Sequence, residues 1–254
     1  MKNPEKRRRC NTLLLSLAAA ALCSACATVA PPSPVAEAAS LPEFALAQAQ
    51  LEGQSGGRLY RLDPAASRVH IHVFRAGRAA GLGHNHVLAA PQVRGLLWWP
   101  LDAETQGPAL RGAGAARFEL QLRLDELQLD PPELRAALGP GWASLLSPEA
   151  VAATRRNMLG EAGLQAEQFP ELRIQGLQLI GEAPKLVARW ALSLHGRTRQ
   201  YEVPLQVEMN AQSVRLSGAW VLRQSDFGLT PFSVAGGLLA VQDELLVEFA
   251  LQGR

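Results

Sequence analysis

Cysteine, tyrosine and sustained positive charge are scarce in most of this sequence, and each scarcity excludes a kind of bond or binding site. All three cysteines, Cys10, Cys23 and Cys26, lie within the first 26 of the 254 residues. The later chain therefore has no pair of cysteines for a disulfide or a thiolate metal site. Aromatic residues make up 6% of the chain and only two of them are Tyr. A surface on which nucleic-acid bases stack is not expected.

The formal net charge of +2 arises in the N-terminal segment. Five of the 25 basic residues and one of the 23 acidic residues lie in residues 1–26, which leaves 20 basic and 22 acidic residues in the remainder. That remainder has no polycationic stretch to hold a phosphate backbone. We therefore expect no nucleic-acid partner.

The N-terminal segment has the layout of a secretory signal. Basic residues from Lys2 to Arg9 precede an apolar run from Leu13 to Leu22, which is too short to span a bilayer core of about 30 Å. The end of the segment resembles a bacterial lipobox, although Leu22 lies four positions before Cys26 instead of three. We expect export to the periplasm or to the outer membrane, with lipidation of Cys26 as a membrane anchor. Cleavage near Ala30 without lipidation is the alternative.

Composition then predicts three segments along the chain. Residues 1–26 are the signal peptide, and residues 27–57, rich in Ala, Pro, Ser and Gln, are a flexible linker. Within this linker, a short helix over Leu41–Leu51 is an alternative. Residues 58–254 form a single folded domain.

Beyond Arg58, apolar and polar residues alternate, which is typical of antiparallel strands with one buried face and one face in water. The alternation, together with apolar segments around Val93 and Leu172, predicts about eight strands. Ser147, Pro148 and Glu149 are typical of a helix start, and Gly160 or Gly163 would end that helix. Strands without a covering helical layer favour an all-β sandwich or a barrel. The clearest alternating segments are Val69–Val73, Phe118–Leu124, Leu186–Leu194, Tyr201–Met209, Val214–Leu222 and Leu245–Leu251.

Four motifs follow one another in this region: Tyr60-Arg61-Leu62-Asp63-Pro64, Phe169-Pro170-Glu171-Leu172, Leu194-His195-Gly196-Arg197-Thr198-Arg199 and Arg223-Gln224-Ser225-Asp226-Phe227-Gly228-Leu229. Their order resembles that of the YceI-like family of exported lipid- or polyisoprenoid-binding proteins. The resemblance covers Tyr60 to Leu251 and implies a lipocalin-like antiparallel barrel with one or two short accessory helices. It further implies a non-catalytic protein that holds an isoprenoid-type lipid or quinone. The segment from Gly81 to Leu88 departs from the family's pattern.

Two groups of residues are candidates for contact with such a hydrophobic ligand. Trp190, Leu205 and Trp220 lie on apolar stripes that face the barrel interior. Polar side chains at the barrel mouth would select the head group, and the candidates are His84, His86, His195 and Arg197. We identify no Ser-His-Asp spacing, paired acids or phosphate loop, and expect no enzyme.

The histidines also suggest a function of a different class. His84 and His86 would point to one side of a strand, and His195, which ends another strand, could meet them. Such a cluster could bind Zn²⁺, Cu²⁺ or Ni²⁺ as a metal-binding module or a metal-dependent enzyme. We do not favour a metal site. His70 and His72 are expected on the solvent-facing side of their strand.

Overall fold

Alternating apolar residues form a mostly antiparallel barrel in the computed structural model, which describes residues 36–102, 108 and 113–254. The predicted signal peptide, Cys26 and the first part of the predicted linker lie outside the described residues. The strands are β1 Gly57–Arg61, β2 Arg68–Ala76, β3 His86–Ala89, β4 Arg94–Pro100, β5 Arg117–Arg123, β6 Gln128–Leu129, β7 Glu171–Glu182, β8 Lys185–Leu194, β9 Arg197–Met209, β10 Val214–Arg223, β11 Ser233–Val234 and β12 Leu239–Gly253.

A single sheet with the strand order β1-β4-β5-β7-β8-β9-β10-β12-β2-β3-β6 forms the barrel, and β11 pairs with β12. The last strand joins the two sides of this sheet. β12 pairs with β10 along one edge and with β2 along the other, and its end bonds to the end of β1. There the Arg61 N–H donates to Arg254 O at 2.7 Å and the Asp63 N–H donates to Gln252 O at 2.8 Å. These bonds close a ring through β1, β4, β5 and β7 to β12.

The barrel expected from the sequence is confirmed, but the expected count of about eight strands is wrong. The described residues contain twelve strands. The four additional strands are short, with two to five residues each, and period-two alternation needs a longer run to be recognised. They are β1, β3, β6 and β11.

Three α-helices accompany the barrel in the described residues: α1 Phe44–Glu52, α2 Pro132–Ala137 and α3 Pro148–Leu159. The predicted helix start at Ser147 is confirmed, because the Ala150 N–H donates to its hydroxyl at 3.2 Å. At Gly160 the helix ends.

Within the segment predicted as a linker, residues 44–52 form α1. Leu51 of this helix packs against Leu96 and Trp98 on the outer face of β4. This contact buries apolar surface outside the barrel. Part of the predicted linker is therefore ordered helix.

Tight turns connect the strands of the second half of the barrel. The β8–β9 hairpin turns at His195 and Gly196, which have φ of 49° and 70°. Positive φ at both central residues matches the right-handed twist of the flanking strands.

Among the described residues, no helix is long and apolar enough to cross a lipid bilayer.

Glycine at position 176 of β7 lets an aromatic ring lie against the backbone. A Cβ atom at Gly176 would lie 2.3 Å from the Phe118 ring. Phe118 in turn packs edge-on against Trp190, with ring centroids 6.2 Å apart. The absence of a side chain at residue 176 therefore sets the position of the aromatic core.

We expect Gly176→Ala to lower the free energy of unfolding by about 1–3 kcal/mol, because the added methyl group overlaps the Phe118 ring. Gly53→Ala is the matched control: its Cβ would have no neighbour closer than 3.5 Å and φ is −79°. That control should leave stability unchanged or slightly raised. Urea unfolding followed by tryptophan fluorescence measures both, and a Gly176→Ala protein as stable as the parent would contradict the packing described.

Candidate functional site: a cavity in one half of the barrel

The barrel interior is packed in one half and hollow in the other. The hollow half contains a cavity of about 550 Å³, within the range of about 300–1,000 Å³ typical of small-molecule sites. Inward-facing residues of β2, β5, β7, β8, β10 and β12 form its walls. No residue of β9 contributes to the lining, and the β9 residues Val203 and Val207 are fully buried in the packed half.

Aromatic rings form one wall of the cavity. Trp190, Trp220 and Phe249 all line it, and the two indole rings pack edge-to-face with centroids 5.1 Å apart. Phe249 lies 6.2 Å from Trp190 and 5.8 Å from Trp220, again edge-on. Such perpendicular packing is the favoured geometry for aromatic pairs. Within the described residues, neither indole N–H has a hydrogen-bond acceptor.

At one end the cavity reaches the surface beside α3. Exposed residues line it there, including Arg156 and Asn157 from α3 and Phe232 from the loop before β11. α3 itself has no fully buried residue. Arg155 holds it to the barrel by donating to the backbone carbonyls of Leu127 and Asp125. We call this end of the barrel the mouth.

His86 brings a polar group to the cavity lining near the mouth. Its Nδ1 lies 2.6 Å from Oδ2 of Asp130, a fully buried carboxylate on the residue after β6. The other carboxylate oxygen accepts bonds from the Val87 N–H at 3.0 Å and from Arg135 at 2.7 Å. Because a carboxylate accepts, Nδ1 carries the proton. His86 is thus held in a fixed orientation with its Nε2 edge free of partners in the described part of the chain.

The groups of this network shift the pKa values of Asp130 and of the neighbouring His84. Burial alone would raise the pKa of Asp130, but hydrogen bonds from His86, the Val87 N–H and Arg135 outweigh burial and hold the pKa below its usual range. Burial lowers the pKa of the neighbouring His84, and His86 and Arg135 lower it further. The Asp130 carboxylate is therefore ionised at neutral pH and paired with the Arg135 guanidinium.

The structure brings together three of the seven residues predicted to contact a ligand. Trp190, Trp220 and His86 line the cavity. Leu205 is buried in the packed half of the barrel and does not line it. Arg197 packs over Gly228, beyond the cavity lining.

The remaining two predicted histidines lie apart from the cavity lining. His84 is exposed and its Nδ1 lies 3.0 Å from the Ser144 hydroxyl. His195 is a turn residue whose ring packs on Phe169 at 4.7 Å and whose Nδ1 donates to Phe227 O at 3.2 Å. No group of three or more His, Cys, Asp or Glu side chains suited to a metal ion occurs in the described residues. The structure gives no support to the metal alternative.

Another expectation about the histidines is wrong. His72 faces outward as predicted, but it is buried because Trp142 covers it, with ring centroids 5.4 Å apart. Its Nε2 bonds to Glu248 at 2.7 Å. Trp142 lies 70 residues away in the sequence, in the segment between α2 and α3. The alternation of apolar and polar residues in β2 cannot show that a side chain from a distant part of the chain covers the outer face of the strand.

Sequence analysis missed Asp130 and Arg135, which fix His86. Asp130 is 44 residues from His86 and adopts a left-handed backbone, with φ of 54°. The only local signal was an acidic residue directly before two prolines. Nothing in that pattern indicates which histidine it would meet.

We expect Asp130→Asn to destabilise the fold by about 3–5 kcal/mol, because it leaves the buried Arg135 guanidinium without its carboxylate. The pKa of Asp130 is lower in the folded than in the unfolded state, so its ionised carboxylate raises the free energy of unfolding at pH values above the unfolded-state pKa of about 3.9. This contribution is lost as the pH falls further. The difference between parent and variant should therefore shrink below about pH 4. Chemical unfolding at a series of pH values tests this.

Asp125→Asn is the control for that experiment. Asp125 pairs with Arg123 on the surface, and its removal should change stability little at any pH. A difference between parent and Asp130→Asn that stays constant down to about pH 2 would show that the carboxylate charge is not what stabilises the network.

Two solved structures and a family model are similar to this chain. BcnA of Burkholderia cenocepacia superposes with a TM-score of 0.52 at 14% identity, over 76% of this chain and 99% of that protein. A polyisoprenoid binding domain from Saccharophagus degradans gives a TM-score of 0.48 at 14% identity, over 77% and 97% of the two chains. At 14% identity the likeness to BcnA concerns the fold alone. None of the curated protein sequences matches.

The family model agrees with the fold and with the motifs. It describes the YceI-like domain and matches residues 60–253, which is more than half of the chain and nearly all of the barrel. The chain therefore belongs to the YceI-like family.

Proposed function

We propose that this protein is a non-catalytic binding protein that holds a hydrophobic isoprenoid-type lipid or quinone in its barrel. The cavity of about 550 Å³ is the observation that carries the proposal. Leu, Val, Ile, Trp and Phe side chains predominate in its lining. Burial of an apolar chain there would be favoured by about 25 cal/mol for each Å² removed from water. The YceI-like family points to the same class of ligand.

The residues that line the cavity support a ligand with an apolar part and one polar end. The hollow extends from the aromatic rings of Trp190 and Trp220 to the exposed residues beside α3. An apolar tail fits the aromatic end, and a polar head fits the mouth. His86 is the head-group contact we propose, because Asp130 fixes its tautomer and leaves Nε2 to accept a hydrogen bond.

Export and anchoring complete the proposal. Residues 1–26 would direct the chain to the periplasm or the outer membrane, and lipidated Cys26 would tether it. The linker would then keep the barrel close to a membrane, where hydrophobic cargo is found.

Leu222→Trp should abolish ligand binding, whereas Val221→Trp should not. These neighbours on β10 face opposite sides: Leu222 is buried in the cavity wall and Val221 is exposed. An indole at position 222 would occupy the space for the ligand, so we expect affinity to fall at least tenfold. The full chain would be titrated with farnesol, geranylgeraniol and a short-tailed quinone, followed by native mass spectrometry.

Equal binding by the parent and both variants would contradict the proposed location. Parent protein that binds none of the three probes, and releases no lipid on denaturation, would contradict the carrier function itself. Circular dichroism of both variants shows whether they fold. The two outcomes therefore separate a wrong site from a wrong function.

Cys26→Ser should remove the anchor. In a bacterial host, the parent should incorporate labelled fatty acid and sediment with membranes, and the variant should do neither because it lacks the thiol that carries the lipid. Unchanged incorporation in the variant would show that Cys26 is not the site, and a processed parent whose first residue lies near Ala30 would support simple cleavage.

A further inference from the structure

Exposed apolar side chains concentrate on three loops at the mouth. We define the mouth loops as residues 77–85, 139–147 and 230–238. Five of the eight large hydrophobic side chains exposed in the described residues lie on them. These are Leu82 at 78% exposure, Leu145 at 98%, Phe232 at 49%, Val234 at 40% and Leu238 at 40%.

Hydrogen bonds join the three loops into one surface. The Arg78 and Ala79 N–H groups donate to the carbonyls of Gly237 and Leu238 at 3.3 and 2.9 Å, which links the first loop to the third. The Asn85 side chain donates to Gly141 O at 3.2 Å, which links the first loop to the second. The apolar side chains are therefore carried by neighbouring segments.

The surface lies at the opening of the cavity. Phe232 is both exposed and part of the cavity lining, and Thr230 lines it as well. His86, one of the polar residues of the lining, directly follows the first mouth loop. Cargo that enters beside these loops passes an apolar rim.

Charge on the mouth loops is of one sign. They contain no Asp or Glu, and Arg78 is exposed on the first loop. A second exposed arginine, Arg156, lines the mouth from α3. Acidic groups lie nearby, namely Glu161 at the mouth and Glu133 and Glu149 on the helices that flank the second loop.

We infer that the mouth loops are a docking surface for a lipid bilayer that contains anionic lipid. Exposed leucine, valine and phenylalanine side chains are suited to insertion about 5–10 Å into the headgroup and acyl boundary, and arginine is suited to the phosphates above it. A protein partner would also cover apolar groups. The bilayer is favoured because the third mouth loop lines the cavity opening and the other two loops are bonded into the same surface, so that docking lets an apolar cargo pass from acyl chains to cavity without crossing water.

The route of the cargo rests on the proposed function, but the docking test does not use the cargo. One tryptophan added at a chosen position reports insertion locally, once the signal of the five native tryptophans is subtracted. This separates docking of the mouth from tethering by the N-terminal segment. Leu82→Trp places the reporter on the first mouth loop. Ile180→Trp is the control, because Ile180 is also exposed, at 41%, but lies on β7 six residues beyond Ile174, the last β7 residue of the cavity lining.

The full-length variants would be mixed with vesicles of phosphatidylethanolamine and phosphatidylglycerol whose acyl chains are brominated. The fluorescence of the parent chain would be subtracted from that of each variant. We expect the emission of the residue 82 reporter to shift to the blue and to be quenched, and that of residue 180 to do neither. Adding Arg78→Ala to the reporter variant should weaken its vesicle affinity about fivefold, and vesicles of phosphatidylcholine alone should quench less.

Equal quenching at residues 82 and 180, or quenching at neither, would overturn the inference. A reporter at residue 82 that stays unquenched while the chain still binds farnesol would reject docking and leave the carrier function intact. Quenching at residue 82 in a protein that binds no isoprenoid would support the docking surface and reject the cargo. Leu82→Asp with Leu145→Asp provides an independent check, because the reporter moved to Phe232→Trp should then lose its quenching.

Discussion

Closure of the sheet through β12 is the constraint on which the rest of the structure depends. This strand bonds to β10 on one side and to β2 and the end of β1 on the other, so the backbone groups of both edges are satisfied. Closure forces every inward side chain of the ring into a common interior. Whether that interior is solid or hollow is then decided by side-chain volume alone. In this protein one half is filled, and the other half encloses the cavity.

Much of the fold could be predicted from the sequence because strand alternation is local. The stripes of β8, β9, β10 and β12 were recognisable, as was the capped start of α3 at Ser147. The site was only partly predictable. Alternation identified Trp190 and Trp220 as inward-facing, but it gave the same result for Leu205, because packed and hollow halves have the same periodicity. The pairing of His86 with Asp130 depends on β3 meeting β6, and the latter strand has two residues.

Aromatic packing and the cavity are consequences of the same arrangement. Large rings at Trp190, Trp220 and Phe249 stabilise one another edge-on and form one wall of the cavity. The hollow half therefore has a rigid aromatic wall and an opposite side of aliphatic residues.

The position of helix α3 bears on the rates at which a ligand would enter and leave the cavity. It lies at the mouth without a fully buried residue, and Arg155 holds it through backbone carbonyls that would bond equally well to water. Its displacement exposes little apolar surface compared with the opening of any barrel strand. For the cargo proposed above, the cavity walls would set the affinity, whereas displacement of this helix would set the rates of entry and release. Substitutions at those α3 residues that do not line the cavity would then change the rates and leave the walls unchanged.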